Sequence, residues 1–443
     1  MSKVAFDARG SHVAAGWSVW LVRRLHTWIG VAVAPFLLVA AVTGLWYVWT
    51  PQIEAWYYRD WLRVAPAAAA HVPLQQQVVA ATAYARPEWR LVAVRPALEP
   101  QASTRVLFSA PGLGEGERWA IFVNPATADV LGAAVVYGTS GALPLRSVSS
   151  LLHRQLLAGE TGRAYSELAA SWLWVAALGG MYLWWRQRRT ATAPSVRVRH
   201  VRWGLALLLG LLFLSASGLT WSRWAGDNIG QWRRALGWGT PQLPLQLPEV
   251  APAVQPVATW DSVWAAAQAA GIDAQRVEIR LPPAADKAWS VVEVDRRWPT
   301  QVDAVAIDPR TLEVVHVLRF ADFPLAAKLT RWAVDLHMGV MFGWPNQLAL
   351  TVVGLGLLLL MGWGWRMWWR RRSRFWDEPT VWHAWRRAPW RARVVVLAVC
   401  VLLGWALPVL GVSLALMALA DAVVPWWRAR QRRAATTSVS GSV

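Results

Sequence analysis

The chain has 443 residues, 56% of them hydrophobic, with 35 tryptophans and one cysteine, Cys400, so an intrachain disulfide framework and a cysteine-built metal site are both excluded. The formal net charge is +19, which invites a nucleic-acid reading. Yet residues 50–167 and 222–346 together hold 22 basic and 22 acidic side chains, so the whole excess lies in short flanks of long apolar runs, the positive-inside pattern of a membrane protein rather than a basic nucleic-acid patch.

Taken in chain order, residues 1–22 read as a cytoplasmic N-terminus leading into the basic "VRR" at 22–24. Residues 23–49 read as the first membrane helix. Its apolar core of about 21 residues is long enough to span and too long for a signal-peptide core, and no A-x-A-like site follows, so it is read as an uncleaved anchor. Residues 50–165 then form a periplasmic α+β domain, with a helix at 73–85 and strands at 90–96, 104–110 and 117–136. A membrane helix at 166–185 returns to a basic cytoplasmic loop, 186–202.

The same order then recurs. A membrane helix at 203–221 leads to a second periplasmic α+β domain, 222–346. It holds a proline-rich linker at 240–257, a helix at 259–271 and strands at 276–282, 288–295 and 301–320. Residues 347–369 form the fourth helix and 370–393 a cytoplasmic segment. The run 394–424 reads as a membrane hairpin turning near Pro408, with limbs of about 15 residues or roughly 22 Å each; one kinked helix is the alternative. Residues 425–443 are a basic cytoplasmic tail.

Matched offsets support the recurrence. Gly30 and Gly204 follow His26 and His200 by the same interval, as do Gly44-Leu45 and Gly218-Leu219. Asn124-Pro125 and Asp308-Pro309 precede His153 and His337 by one shared interval, and Trp184-Trp185-Arg186 and Trp368-Trp369-Arg370 follow them by another. The fold class expected is therefore an α-helical integral membrane protein with two periplasmic α+β domains. It is built as two parallel helix–domain–helix repeats plus a C-terminal membrane hairpin, the repeats related by an axis along the membrane normal.

Histidine within or beside a membrane span is costly unless it has a partner. Four of the eight histidines occupy repeat-related positions: His26 and His200 on the inner side, His153 and His337 on the outer side. Two facing imidazoles are the arrangement that holds a haem iron through two axial nitrogens. The residues alone leave a plainer reading open, in which all four are interfacial histidines bonded to backbone or headgroups. With no C-x-x-C-H, any haem is non-covalent, b-type. Gly30, Gly44, Gly204 and Gly218 allow close approach of a neighbouring helix or of a flat macrocycle. His12 is read in a disordered N-terminus, His71 in a linker, His316 in a strand as a surface or satisfied residue, and His383 as interfacial. No phosphate-binding loop, nucleophile elbow or H-E-x-x-H is present. No intramembrane carboxylate or discontinuous helix is evident either, which disfavours a transporter.

The stretches "RRLHTWIGVAVAPFLLVAAVTGLWYVW" (23–49), "LLFLSASGLTWSRWAGDNIG" (211–230), "LHMGVMFGWPNQ" (336–347) and "ALPVLGVSLALMALAD" (406–421) resemble the PepSY-associated transmembrane helix family, from about residue 20 to 425. The resemblance implies an iron-regulated protein of the bacterial inner membrane with PepSY-like domains in the periplasm. It further implies that membrane-bound b haems, two of them, reduce a periplasmic ferric siderophore to release Fe(II), fed by an unnamed cytoplasmic or membrane electron donor. His26, His153 and His337 match the family's "LH" positions, whereas His200 stands in "RHVRWG" and departs from the pattern. A haem-free regulatory or binding protein and a siderophore or iron transporter are the alternatives.

Overall fold

The computed structural model of the chain describes residues 16–65, 71–188, 195–247, 258–375 and 378–439. His12 and most of the proline-rich linker lie outside them. Two compact units emerge. One comprises Met1–Leu45, His153–Trp232 and Leu350–Val443; the other comprises Trp46–Leu152 and Arg233–Ala349.

The first unit is helical. Among the described residues, three helices are long and apolar enough to cross a membrane: Trp17–Tyr57, Gly159–Gln187 and Trp344–Trp369. The first contains a π-turn at Ile29–Val33. The extra residue in that turn widens it and loosens a backbone carbonyl. The Gly30 carbonyl accepts instead from the Trp365 indole at 2.7 Å. The apolar runs make these elements helical because every backbone group must be satisfied within the segment when water is absent.

The third expected span differs from a continuous 203–221 helix. It consists of Ser195–Ala206 and Leu208–Leu219, bent by 59°. At the break Leu207 presses on the fourth span, where a Cβ on Gly356 would lie 2.3 Å from Leu207 Cδ1. The bend lies where Leu207 occupies space that only a glycine opposite can leave. The C-terminal run divides at Leu407 into Trp390–Ala406 and Pro408–Val439. Their backbones touch, since a Cβ on Gly411 would lie 2.6 Å from the Gly404 Cα.

Two carboxylates buried in this unit correct the expectation that none exists. Glu167 is fully buried and caps the helix Trp224–Ala235, accepting from the Trp224 and Ala225 amides at 2.9 and 3.1 Å. Asp421 is also fully buried. Its Oδ1 accepts from Arg24 Nε at 2.6 Å and Trp28 Nε1 at 2.7 Å, and its Oδ2 from the Val381 amide at 2.6 Å. Short sequence windows hid both groups, because each is neutralised or capped by residues distant in the chain.

The second unit carries a sheet. Its strands are β1 Arg90–Arg95, β2 Thr104–Ser109, β3 Glu117–Val123, β4 Val130–Tyr137, β5 Val277–Arg280, β6 Trp289–Glu293, β7 Ala304–Ile307 and β8 Val314–Leu318. All neighbours are antiparallel, in the order β4-β3-β2-β1-β5-β6-β7-β8. The two expected α+β domains are therefore one sheet, joined where Ala93 and Val94 of β1 face Arg280 and Ile279 of β5. The pairing removes two edges that would otherwise stay unpaired. Across the seam, Arg95 Nε donates to Glu278 at 2.7 Å. Asp261 of the second half caps the helix Leu74–Tyr84 of the first, accepting from the Leu74 and Gln75 amides at 2.7 and 2.9 Å.

One core serves both halves. Val94, Val106, Phe108 and Ile121 meet Ile279, Val291, Val305 and Ile307, under Val78 and Ala81 of one helix and Trp260 and Val263 of the other. Each of the valines, isoleucines and Phe108 contributes about 1.5–3 kcal/mol through burial. The turn residues act as their chemistry predicts: Asn124 Oδ1 accepts from the Ala126 amide at 3.0 Å and Asp308 Oδ1 from the Arg310 amide at 2.8 Å.

Candidate functional site

His26 lies on the last turn of Trp17–Trp28, immediately before the π-turn, and His200 lies on Ser195–Ala206. The two rings face each other across the helical unit, with centroids 6.3 Å apart and planes at 84°. Both line a cavity of about 400 Å³ whose walls are largely apolar, among them Leu37, Leu173, Leu211, Leu357 and Met361. That volume falls within the roughly 300–1,000 Å³ of cofactor sites.

Each ring is seated by one other helix. Gly180 lies beneath His26, with an added Cβ 3.3 Å from Cε1, and Gly364 lies beneath His200, with an added Cβ 3.7 Å from Cε1. His200 Nδ1 stands 3.1 Å from the Leu360 carbonyl. With Nδ1 donating to that carbonyl, the ring is oriented and Nε2 keeps its lone pair. His26 Nδ1, by contrast, is buried and has no hydrogen-bond partner among the described residues. Ala176 and Leu360, like Gly180 and Gly364, stand at equal intervals after His153 and His337. These four seating residues were missed in the sequence, and the interval that matched Trp184 to Trp368 would have found them.

The pair fits a single metal held by two nitrogens. An ion bonded to one nitrogen of each ring at about 2 Å places the ring centres about 6 Å apart. Gly30 and Gly204 both line the same cavity. An added Cβ on Gly30 meets nothing within 4 Å, and one on Gly204 meets only Leu360 at 3.8 Å. These two glycines thus open onto space rather than onto a tightly packed helix.

His153 belongs to the same helical unit, at the end of the helix Pro144–Gln155. Its ring packs on Gly44, where an added Cβ would lie 3.1 Å from Cε1. Its Nδ1 is 3.0 Å from Thr43 Oγ1. The Thr43 hydroxyl proton goes to the Val39 carbonyl at 2.7 Å, so Nδ1 is the donor to Thr43 and Nε2 keeps its lone pair. Burial pushes the imidazole down to about 4, which keeps it neutral, the form that binds metals. Tyr165 fixes the backbone here by donating to the His153 carbonyl at 2.8 Å.

His337 is the last residue of the helix Leu325–His337 and belongs to the sheet-bearing unit. Beside it, Asp335 is fully buried and holds Arg331 at 2.9 Å and Arg296 at 3.4 Å. Gly218 lies in the last turn of Leu208–Leu219. His383 sits on Val381–Arg387, where the Thr380 hydroxyl accepts from its amide, and does not line the cavity. His316 lies exposed on β8, and His71 is exposed too.

The chain matches the PepSY-associated TM region over residues 23–371. No curated protein matches it. The match covers well over half of the chain, which therefore belongs to that family.

Proposed function

From that membership and the facing histidines, we propose that this protein is an electron-transfer protein of the bacterial inner membrane. It binds haem b non-covalently between His26 and His200 and passes electrons outward to a periplasmic ferric siderophore. The observation that carries the reading is the perpendicular imidazole pair at 6.3 Å inside an apolar cavity. When bound, haem supplies a one-electron iron couple in a low-dielectric site.

The chain's own residues do the rest. His26 and His200 would hold the haem iron, each through one ring nitrogen. The Leu360 carbonyl, by accepting from His200 Nδ1, raises the basicity of the opposite nitrogen and fixes the ring plane. Leu173, Leu211, Leu357 and Leu360 exclude water from between the rings. His153, with Nδ1 engaged by Thr43 and Nε2 open, is a ligand for a second haem nearer the outer face. One electron delivered to a ferric chelate gives Fe(II), which hard oxygen donors hold more weakly, so the metal is released. The electron enters from a cytoplasmic or membrane donor.

The bent third span and the buried Asp421 are features a transporter could use. Asp421, however, already accepts three hydrogen bonds and neutralises Arg24, so it offers no free site to a moving ion. Purified protein made with adequate haem should show a Soret band that sharpens on dithionite addition, and His26→Ala or His200→Ala should lower the haem-to-protein ratio. A wild-type spectrum without a Soret band, or uptake of iron into proteoliposomes without any reductant, would refute the proposal.

A further inference from the structure

The cavity that holds His26 and His200 has a polar mouth that the axial pair does not account for. Arg23, Arg197 and Arg371 line it together with Gln187, Trp368 and Glu378. Arg23 and Arg197 each stand three residues before their histidine, so the internal repeat relates them as it relates His26 to His200. Arg197 and Arg371 are close enough to repel the Arg23 charge, and Glu378 attracts it. Among the described residues, three guanidinium groups line it against one carboxylate, which makes that lining cationic.

Among the described residues none of the three arginines makes an ion pair within 4.0 Å. Arg197 donates to Gln187, and Arg23 lies 5.1 Å from the Trp20 ring centre. The neighbouring Arg24, by contrast, pairs with Asp421 through Nε and donates to the Phe375 carbonyl. A second observation points the same way. The Trp368 indole N–H lines the mouth, is buried and has no acceptor among the described residues. A buried donor without an acceptor is costly, and so is a crowd of like charges without a counter-ion. Both costs vanish if an anion with several oxygens enters.

We propose that this mouth is a dicarboxylate clamp for the haem held by His26 and His200. Arg23 and Arg197 each pair with one propionate, and Trp368 donates to one of their oxygens. The inference rests on the haem reading above and adds the orientation it imposes. The carboxylates point to the arginine end, which the charge pattern of the loops places on the cytoplasmic side. An arginine suits this role because its planar fork meets a carboxylate through two parallel donors.

The test uses the full chain, purified without haem and titrated with haem and with haem dimethyl ester, whose propionates are blocked. Wild type should bind the free acid at least tenfold more tightly than the diester. Arg23→Gln combined with Arg197→Gln should abolish that preference while leaving diester affinity unchanged, and should lower the midpoint potential of the bound haem. Arg23→Lys with Arg197→Lys should keep part of the preference. A double Gln variant that still prefers the free acid as strongly as wild type overturns the clamp alone. Wild type that binds neither compound overturns the haem reading, and the clamp with it. Unchanged diester affinity also serves as the folding control, because the diester needs only the histidines and the apolar wall.

Discussion

Asp421→Asn is the substitution whose consequence the geometry defines most closely. Oδ1 of Asp421 accepts from both Arg24 Nε and Trp28 Nε1, and Oδ2 accepts from the Val381 amide. An asparagine can keep its oxygen toward Arg24 and Trp28, but its amino group then meets the Val381 N–H, donor against donor. The side chains of the Arg24–Asp421 pair are 2% and 1% exposed, so no water replaces the lost charge. Breaking a pair this deeply buried costs about 3–5 kcal/mol, chiefly because an uncompensated charge remains. The orphaned Val381 amide adds about 1–3 kcal/mol. Replacing both partners, Arg24→Leu with Asp421→Leu, removes the stranded charge and should recover most of that loss. Trp28 and Val381 would still lack their acceptor, so recovery should stop short of wild type. The assay is the thermal unfolding midpoint of detergent-solubilised protein for the two singles and the double. Additive losses, with the double less stable than either single, would refute the buried-pair argument.

Three further outcomes are expected. Glu278→Gln should weaken the sheet at neutral pH. Burial alone would push the Glu278 carboxyl up, but Arg95 and Arg280 outweigh it and hold it below its ordinary value of 4.5. A depressed carboxyl stabilises the fold above its unfolded pKa and loses that contribution as pH falls through the folded value. The gap between wild type and variant should therefore be largest near pH 7 and shrink as pH falls below 4.5 through the depressed folded value, read by circular dichroism against denaturant; a constant gap would be contrary to this. Trp365→Phe leaves the Gly30 carbonyl without its donor at the π-turn and should cost about 1 kcal/mol while shifting the Soret maximum. Gly44→Val places methyl groups where a Cβ alone would already stand 3.1 Å from the His153 ring. It should reduce the haem content of the purified protein, whereas Gly16→Val, with nothing within 4 Å, should not.

Much of this architecture could be read from the sequence because its signals are local. Apolar length marked the spans, the Asn124 and Asp308 turns marked the strand pairs, and helices matching 73–85 and 259–271 formed at Leu74–Tyr84 and Trp260–Ala269. What could not be read depends on which surfaces meet. Alternation along β1 and β5 assigns faces, but nothing in either strand says that their edges pair. The break at Leu207 is likewise invisible in an unbroken apolar run, since its counterpart, Gly356, lies on another helix. Glu167 and Asp421 went unread for a related reason. A lone acid beside a span looks like a boundary residue until its capping amides or its arginine are known.

The seating residues carry that reasoning one step further. His26 stands on the first helix and rests on Gly180 of the second, with its Nδ1 unpartnered among the described residues. His200 stands on the bent third span and rests on Gly364 of the fourth, with Leu360 as acceptor. On the repeat reading, each half would hold one histidine on its own glycine seat, and only His200 has an orienting carbonyl. Neither repeat alone supplies two nitrogens to one metal. On the haem reading, the two ligands come from different helix pairs and meet at the 6.3 Å separation of the rings. A haem bound there would link the halves, so ligand occupancy and the docking of the two helix pairs should be thermodynamically coupled. Disrupting helix contact far from either histidine, as with Gly356→Leu against Leu207, should therefore lower haem affinity without altering either ligand.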